Sequence, residues 1–234
     1  MAHTRSRAPQ DVALPPAPPP RNSGKSKPAA DDQRAAVRKL RKAEVTRSRI
    51  VDAAAHVFCR KGYALTRLSD IAKRARTQTG SIYYHFESRE AIVAEVLRVA
   101  NQRTQDRVID AINALQPDAD VRDRITAAIH GHLEVVLAGD EYIAAHMRIF
   151  DQLPARLRER FLRVLDENAQ LWRALLNEAR EEGLVRDDVD LSVIRLLLIG
   201  MMNWSVEWYR QGRLTPSQIA DQVTILLFEG IRRR

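Results

Sequence analysis

Between Leu68 and Phe86 the chain reads LSDIAKRARTQTGSIYYHF. The polar residues of this stretch suit contact with a nucleic-acid duplex. Thr79 and Ser81 carry hydroxyls that bond to base edges or phosphates. Gly80 between them has no side chain, so backbone or a thymine methyl can come close. No comparable set exists for hydrolysis or metal binding. His130 and His132 stand two apart, so on a helix they point to different sides and cannot share an ion. His146 has no carboxylate at ligand spacing along its own helix. The chain has no Gly-rich phosphate loop, nucleophile elbow or metal-ligand motif. The single cysteine, Cys59, excludes an internal disulfide and a cysteine-clustered zinc site. The expectation is a protein that is not an enzyme and needs no cofactor.

Those residues can work only if two short helices hold them. Leu68, Ile71, Ala72 and Ala75 form the inward side of one short helix. Arg76-Thr77-Gln78 is a break of turn length, and a second short helix follows from about Gln78 to His85. Two short helices joined this way make a helix-turn-helix, whose second helix lies in the major groove with its first residues against the bases. Ahead of it, Ile50, Ala54, Val57 and Phe58 give one apolar face to a helix over Thr46–Lys61, which Gly62 should stop. Thr66 is expected to cap the next helix, and Ser88 a fourth that runs towards Leu115.

Past Pro117, helices are expected at about 120–138, 141–150, 155–182, 188–210 and 216–231. Gly139-Asp140, Pro154, Gly183, Asp187-Asp188, Gly212 and Pro216 mark their edges. No segment sustains period-two alternation, so the fold class is all-α. The last two helices are apolar over more than one face, which calls for a second subunit. Met201, Trp204 and Trp208 form one stripe on the first, which is core or dimer contact or else a ligand wall; with Val223 and Leu227 on the second they are the candidate dimer contacts.

The net charge of +8 is unevenly placed. Residues 1–44 carry +6, residues 45–115 carry +5, and residues 116–234 carry −3. A polyanion partner for the front of the chain is therefore expected. Seven of the ten prolines fall within residues 1–33, which read as disordered. The basic run Arg34, Arg38, Lys39, Arg41, Lys42, Arg47 and Arg49 would add salt-sensitive attraction to a duplex or enter a minor groove. The longest apolar run, Leu196–Met202, is too short to span a membrane, and no signal-like segment is present. A cytoplasmic protein is expected.

Beyond the bare motif, the wording of residues 47–93 resembles the DNA-binding domain of the TetR/AcrR family. The resemblance rests on Ile50, Ala53, Ala54, Phe58, Gly62, Thr66, Ile71, Ala72, Ala75, Gly80, Ser81, Ile82, Tyr83, Tyr84, His85, Phe86, Ser88, Glu90 and Ile92. It departs at the turn, where the family commonly has Gly-Val-Ser and this chain has Arg76-Thr77-Gln78. A non-glycine residue must then take the glycine's backbone conformation.

The resemblance implies an extension over residues 1–44, a DNA-binding domain over 45–105, and a ligand-binding and dimerisation domain over 106–234. It implies DNA contacts from Thr66, Arg67, Ser69, Gln78, Thr79, Gly80, Ser81, Tyr83, Tyr84, His85 and Arg89. It implies a homodimer that represses by holding operator DNA and lets go when an apolar effector binds. Tyr142, Met147, Phe150, Trp172 and Asn203 are the candidate pocket residues. The stretch from Asn203 to Tyr209 is similar to that of family members that regulate lipid and steroid breakdown, which points to an acyl-CoA effector. A drug-sensing repressor of an efflux system is the alternative.

Overall fold

The computed structural model describes residues 28–167 and 169–231. The expected disorder of the Pro-rich segment falls almost wholly outside these residues. Among the described residues the elements are ten α-helices and one 3-10 turn. The order is α1 (Pro28–Leu65), α2 (Leu68–Arg74), α3 (Thr79–His85), α4 (Arg89–Asn113), α5 (Val121–Leu137), α6 (Glu141–Ile149), the 3-10 turn Phe150–Gln152, α7 (Ala155–Glu167), α8 (Gln170–Glu181), α9 (Leu191–Trp208) and α10 (Pro216–Ile231). The described residues divide into two units at residues 42/43. In the first, residues 33–42 are exposed on every side of the helix.

The second unit is built on helical periodicity. Ile50, Ala54 and Phe58, four apart, are wholly buried on α1. Gly62 does not end this helix outright. It turns the backbone with φ 73° and ψ 178°, and helix resumes to Leu65. Thr66 does not cap α2 either. Its side chain is buried, and its Oγ1 donates to the Gly62 carbonyl at 2.6 Å. Arg67 takes the cap position, its backbone N–H bonded to Asp70 Oδ2 at 3.1 Å.

The turn after α2 closes with two backbone bonds, Thr77 N–H to the Ala72 carbonyl at 3.0 Å and Arg76 N–H to the Lys73 carbonyl at 3.2 Å. This double closure needs a left-handed residue just past the helix. Arg76 supplies it with φ 51°, as the missing glycine requires. Ser88 caps α4 through Ala91 N–H at 3.1 Å. α4 then runs unbroken for 25 residues, straight through the boundary expected at 105/106.

In the C-terminal part, α5 packs against α4, α8, α9 and α10. The helix expected over 155–182 is two helices, α7 and α8. The Ala169 N–H bonds the Asp166 carbonyl in a tight turn, and Arg173 folds back onto that same carbonyl at 2.6 Å. No glycine or proline marks this break.

Candidate nucleic-acid interface and effector cavity

α2 and α3 form the helix-turn-helix. Ile71, Ala72, Ala75, Ile82 and Phe86 are its buried side and lock the two helices together. The opposite side is open. Tyr84 is 76% exposed and Tyr83 59%, unusual values for large aromatic rings. Arg67, Ser69, Gln78 and Gly80 are exposed, while Thr79, Ser81 and His85 are half-buried. Tyr84 and His85 meet edge to face. A Cβ placed on Gly80 would find nothing within 4 Å. Nothing inside the protein therefore calls for glycine at this point. Arg76, in the turn ahead of α3, is exposed as well.

Two expected contacts lie differently. Thr66 is buried beneath α2, with its hydroxyl already bonded, so it offers nothing to a duplex. Arg89 lies over the Tyr63 ring at 4.0 Å, with its Nε and Nη2 enclosed and unbonded.

Behind the helix-turn-helix, α4 to α9 enclose a cavity of about 410 Å³. At about 30 Å³ per water molecule, that is room for roughly 14 water-sized groups. Val136, Ile143, Leu165 and Ile199 form part of its apolar wall. Met147, Trp172 and Asn203 line it as expected. Tyr142 and Phe150 do not. The Tyr142 hydroxyl donates to Asp52 on α1 at 2.5 Å, and its ring carries the Arg103 guanidinium. Phe150 packs edge to face on His146 and Phe161, behind the wall. Sequence reasoning missed His132, His146, Asp166 and the two-histidine lining they imply, because no spacing links residues on separate helices. Burial pushes His146 down to about 4, so its ring is neutral at pH 7.

α6 and the 3-10 turn after it join the cavity to α1. The cavity side of α6 carries Ile143, His146 and Met147. Just past its end, Gln152 Oε1 accepts the backbone N–H of Tyr63 at 2.8 Å and of Ala64 at 3.3 Å. Gln152 Nε2 donates to the Arg148 carbonyl at 2.9 Å. A Cβ on Gly62 would stand 2.6 Å from Gln152 Oε1, so glycine serves both the turn and this close approach. His56 to Glu141 at 2.7 Å is a second tie between α1 and α6. Arg47 on α1 bonds Glu95 on α4 at 2.7 Å.

One more surface needs a cover. Val193, Leu197, Met201, Trp204 and Trp208 follow one another at three- or four-residue steps along α9, and all are exposed. Leu226 and Ile225 on α10 are exposed as well. Val223 and Leu227 point the other way and are buried inside the protomer.

Comparison with known proteins agrees with this architecture. Residues 50–96 match the family model described as bacterial regulatory proteins, tetR family. Residues 118–231 match that of the tetracyclin repressor-like C-terminal domain. The HTH-type transcriptional repressor KstR2 of Mycobacterium tuberculosis is 32% identical over 196 residues, covering 80% of this chain and 93% of that protein. The chain belongs to the TetR family. It is a TetR-family DNA-binding transcriptional regulator. The solved structure of ketosteroid transcriptional regulator KstR2 of Mycobacterium tuberculosis superposes with a TM-score of 0.63 at 25% identity, over 80% of this chain and 95% of that one. FadR of Bacillus subtilis in complex with stearoyl-CoA superposes with a TM-score of 0.67 at 24% identity, over 79% and 99% of the two chains. AibR in complex with isovaleryl coenzyme A and operator DNA gives 0.67 at 23% identity, over 78% and 98%. Among the described residues of this TetR-family chain, no helix is long and apolar enough to cross a membrane.

Proposed function

We propose that the protein is a homodimeric cytoplasmic repressor that holds operator DNA and is released by an acyl-CoA. The carrying observation is the largely apolar cavity walled by α4 to α9, with α6 and the turn after it joining it to α1 at the Gly62 turn. The DNA contacts are Arg67, Ser69, Gln78, Thr79, Gly80, Ser81, Tyr83, Tyr84 and His85. The extension over residues 1–44 adds sequence-independent attraction. The exposed α9 stripe is covered by the same stripe of a second copy, since a row so apolar has no other use on a DNA-binding protomer.

An effector acts only if it binds the two conformations unequally. A ligand pressed against His146 and Met147 bears on α6, and Gln152 carries that load to the backbone at Tyr63. The stearoyl-CoA complex of FadR and the isovaleryl coenzyme A complex of AibR support an acyl thioester, and none of the relatives named above is named for efflux. The test is binding of the purified protein to its own upstream DNA and to a scrambled duplex, in about 150 mM salt to screen weak contacts. Selective binding that long-chain acyl-CoA abolishes is the expected result. Selective binding that no acyl-CoA disturbs would remove the effector, and equal binding to both duplexes would remove the specific operator.

A further inference from the structure

The cavity is mostly apolar, yet two of its polar groups are enclosed without a full set of partners. The first is Arg195, 6% exposed. Its Nη2 bonds Asp166 Oδ1 at 3.0 Å, while its Nε has no partner. Asp166 also bonds Arg173, so two guanidiniums share one carboxylate. Among the described residues, that wall sets two guanidiniums against one carboxylate. The Asp166 side chain is 61% exposed, so this end of the cavity meets the surface.

The second group is His132 on α5, 5% exposed and bonded to Asn203 of α9. Asn203 is eight residues further along α9 than Arg195, which at 1.5 Å per residue places it about 12 Å away. Its Oδ1 is 2.9 Å from His132 Nε2. With that oxygen as acceptor, Nε2 carries the ring proton and Nδ1 is a bare acceptor. Nδ1 is buried and has no partner. Burial keeps the ring neutral, an effect the Asn203 bond only partly offsets. Ile199 lies between the two stations and lines the same cavity.

We propose that the effector is polar at both ends: an acceptor oxygen at its head meets Arg195 near the mouth, and a hydroxyl at its far end donates to His132 Nδ1. This rests on the cavity being the acyl-CoA site. The effector class is then a hydroxylated acyl thioester whose apolar span is on the scale of the about 12 Å that separates Arg195 and Asn203 along α9. A plain saturated chain would leave the His132 acceptor enclosed and unpaired.

The experiment compares decanoyl-CoA with ω-hydroxydecanoyl-CoA, two probes of matched chain length. It reads both the thermal shift of the full chain and the concentration that releases the protein from its upstream DNA. The hydroxylated probe is expected to act at about tenfold lower concentration, the scale of one well-made hydrogen bond. In His132→Leu, which must still bind the DNA, that advantage is expected to vanish. Equal potency of the two probes on the unaltered protein would overturn the hydroxyl contact and leave the acyl-CoA reading standing. So would an advantage that survives in His132→Leu. If neither probe shifts the melting temperature or releases DNA, both the contact and the acyl-CoA reading fall.

Discussion

Gly80→Ala separates the demands of the protein from those of its DNA. Within the protein the new methyl meets nothing within 4 Å, and the position lies in the first turn of α3. Alanine there restricts the unfolded chain and suits a helix, so stability should rise by about 0.5–1 kcal/mol. For a chain of this size that lifts the melting temperature by roughly 1–4 °C. Against a duplex the sign reverses. If base edges or phosphates close over Gly80, the methyl overfills the contact at about 1–3 kcal/mol per half-site. That weakens each half-site by roughly 5- to 150-fold. The assay is fluorescence anisotropy on the upstream DNA, paired with a thermal melt of the free protein. A more stable variant with unchanged DNA affinity would refute the placement of Gly80 against DNA. A less stable variant would refute the packing around α3.

Arg76→Gly should stabilise the free protein by about 1 kcal/mol, because it removes the left-handed strain of a side-chain-bearing residue; a thermal melt reads this directly. Gln152→Ala leaves two backbone N–H groups without their acceptor, costing about 1–3 kcal/mol, and should blunt the response of DNA binding to effector more than it blunts effector binding itself. Trp204→Glu sets a charge into the exposed α9 stripe and should shift sedimentation from dimer to monomer while the helical circular dichroism persists. His146 should make the melting temperature fall between pH 7 and pH 5. Its folded pKa of about 4 lies below that of the unfolded chain, so its contribution is present above the unfolded pKa of about 6.5 and is lost as pH falls towards 4. His146→Leu should flatten that slope.

Helix existence was legible because periodicity and end signals agree. Pro154, Gly183 and Pro216 stand at observed helix edges, and Ser88 caps the helix it was expected to cap. The left-handed conformation at Arg76 followed from one missing glycine. Other features have no local signature. Thr66 has the chemistry of a cap, yet it precedes Arg67, and the acid that fixes the true cap sits three residues on at Asp70. Val223 and Leu227 share a helix with Ile225 and Leu226, and on a helix so apolar the pattern cannot say which side the protomer keeps. His132 with Asn203, and Gln152 with Tyr63, are pairs 71 and 89 residues apart, made only by packing.

The unbroken α4 has a mechanical consequence. Its 25 residues make a rod about 37 Å long, with its first turn beside the recognition helix and its later turns on the cavity wall. A rod of that length pivoted at one end sweeps about 3 Å at the other for a tilt of about 5°. In a two-fold dimer both rods tilt in opposite senses, so the separation of the reading heads changes by up to about 6 Å. The major-groove repeat they must match is about 34 Å. A tilt too small to open the cavity would thus be geared up into a loss of step with the double helix.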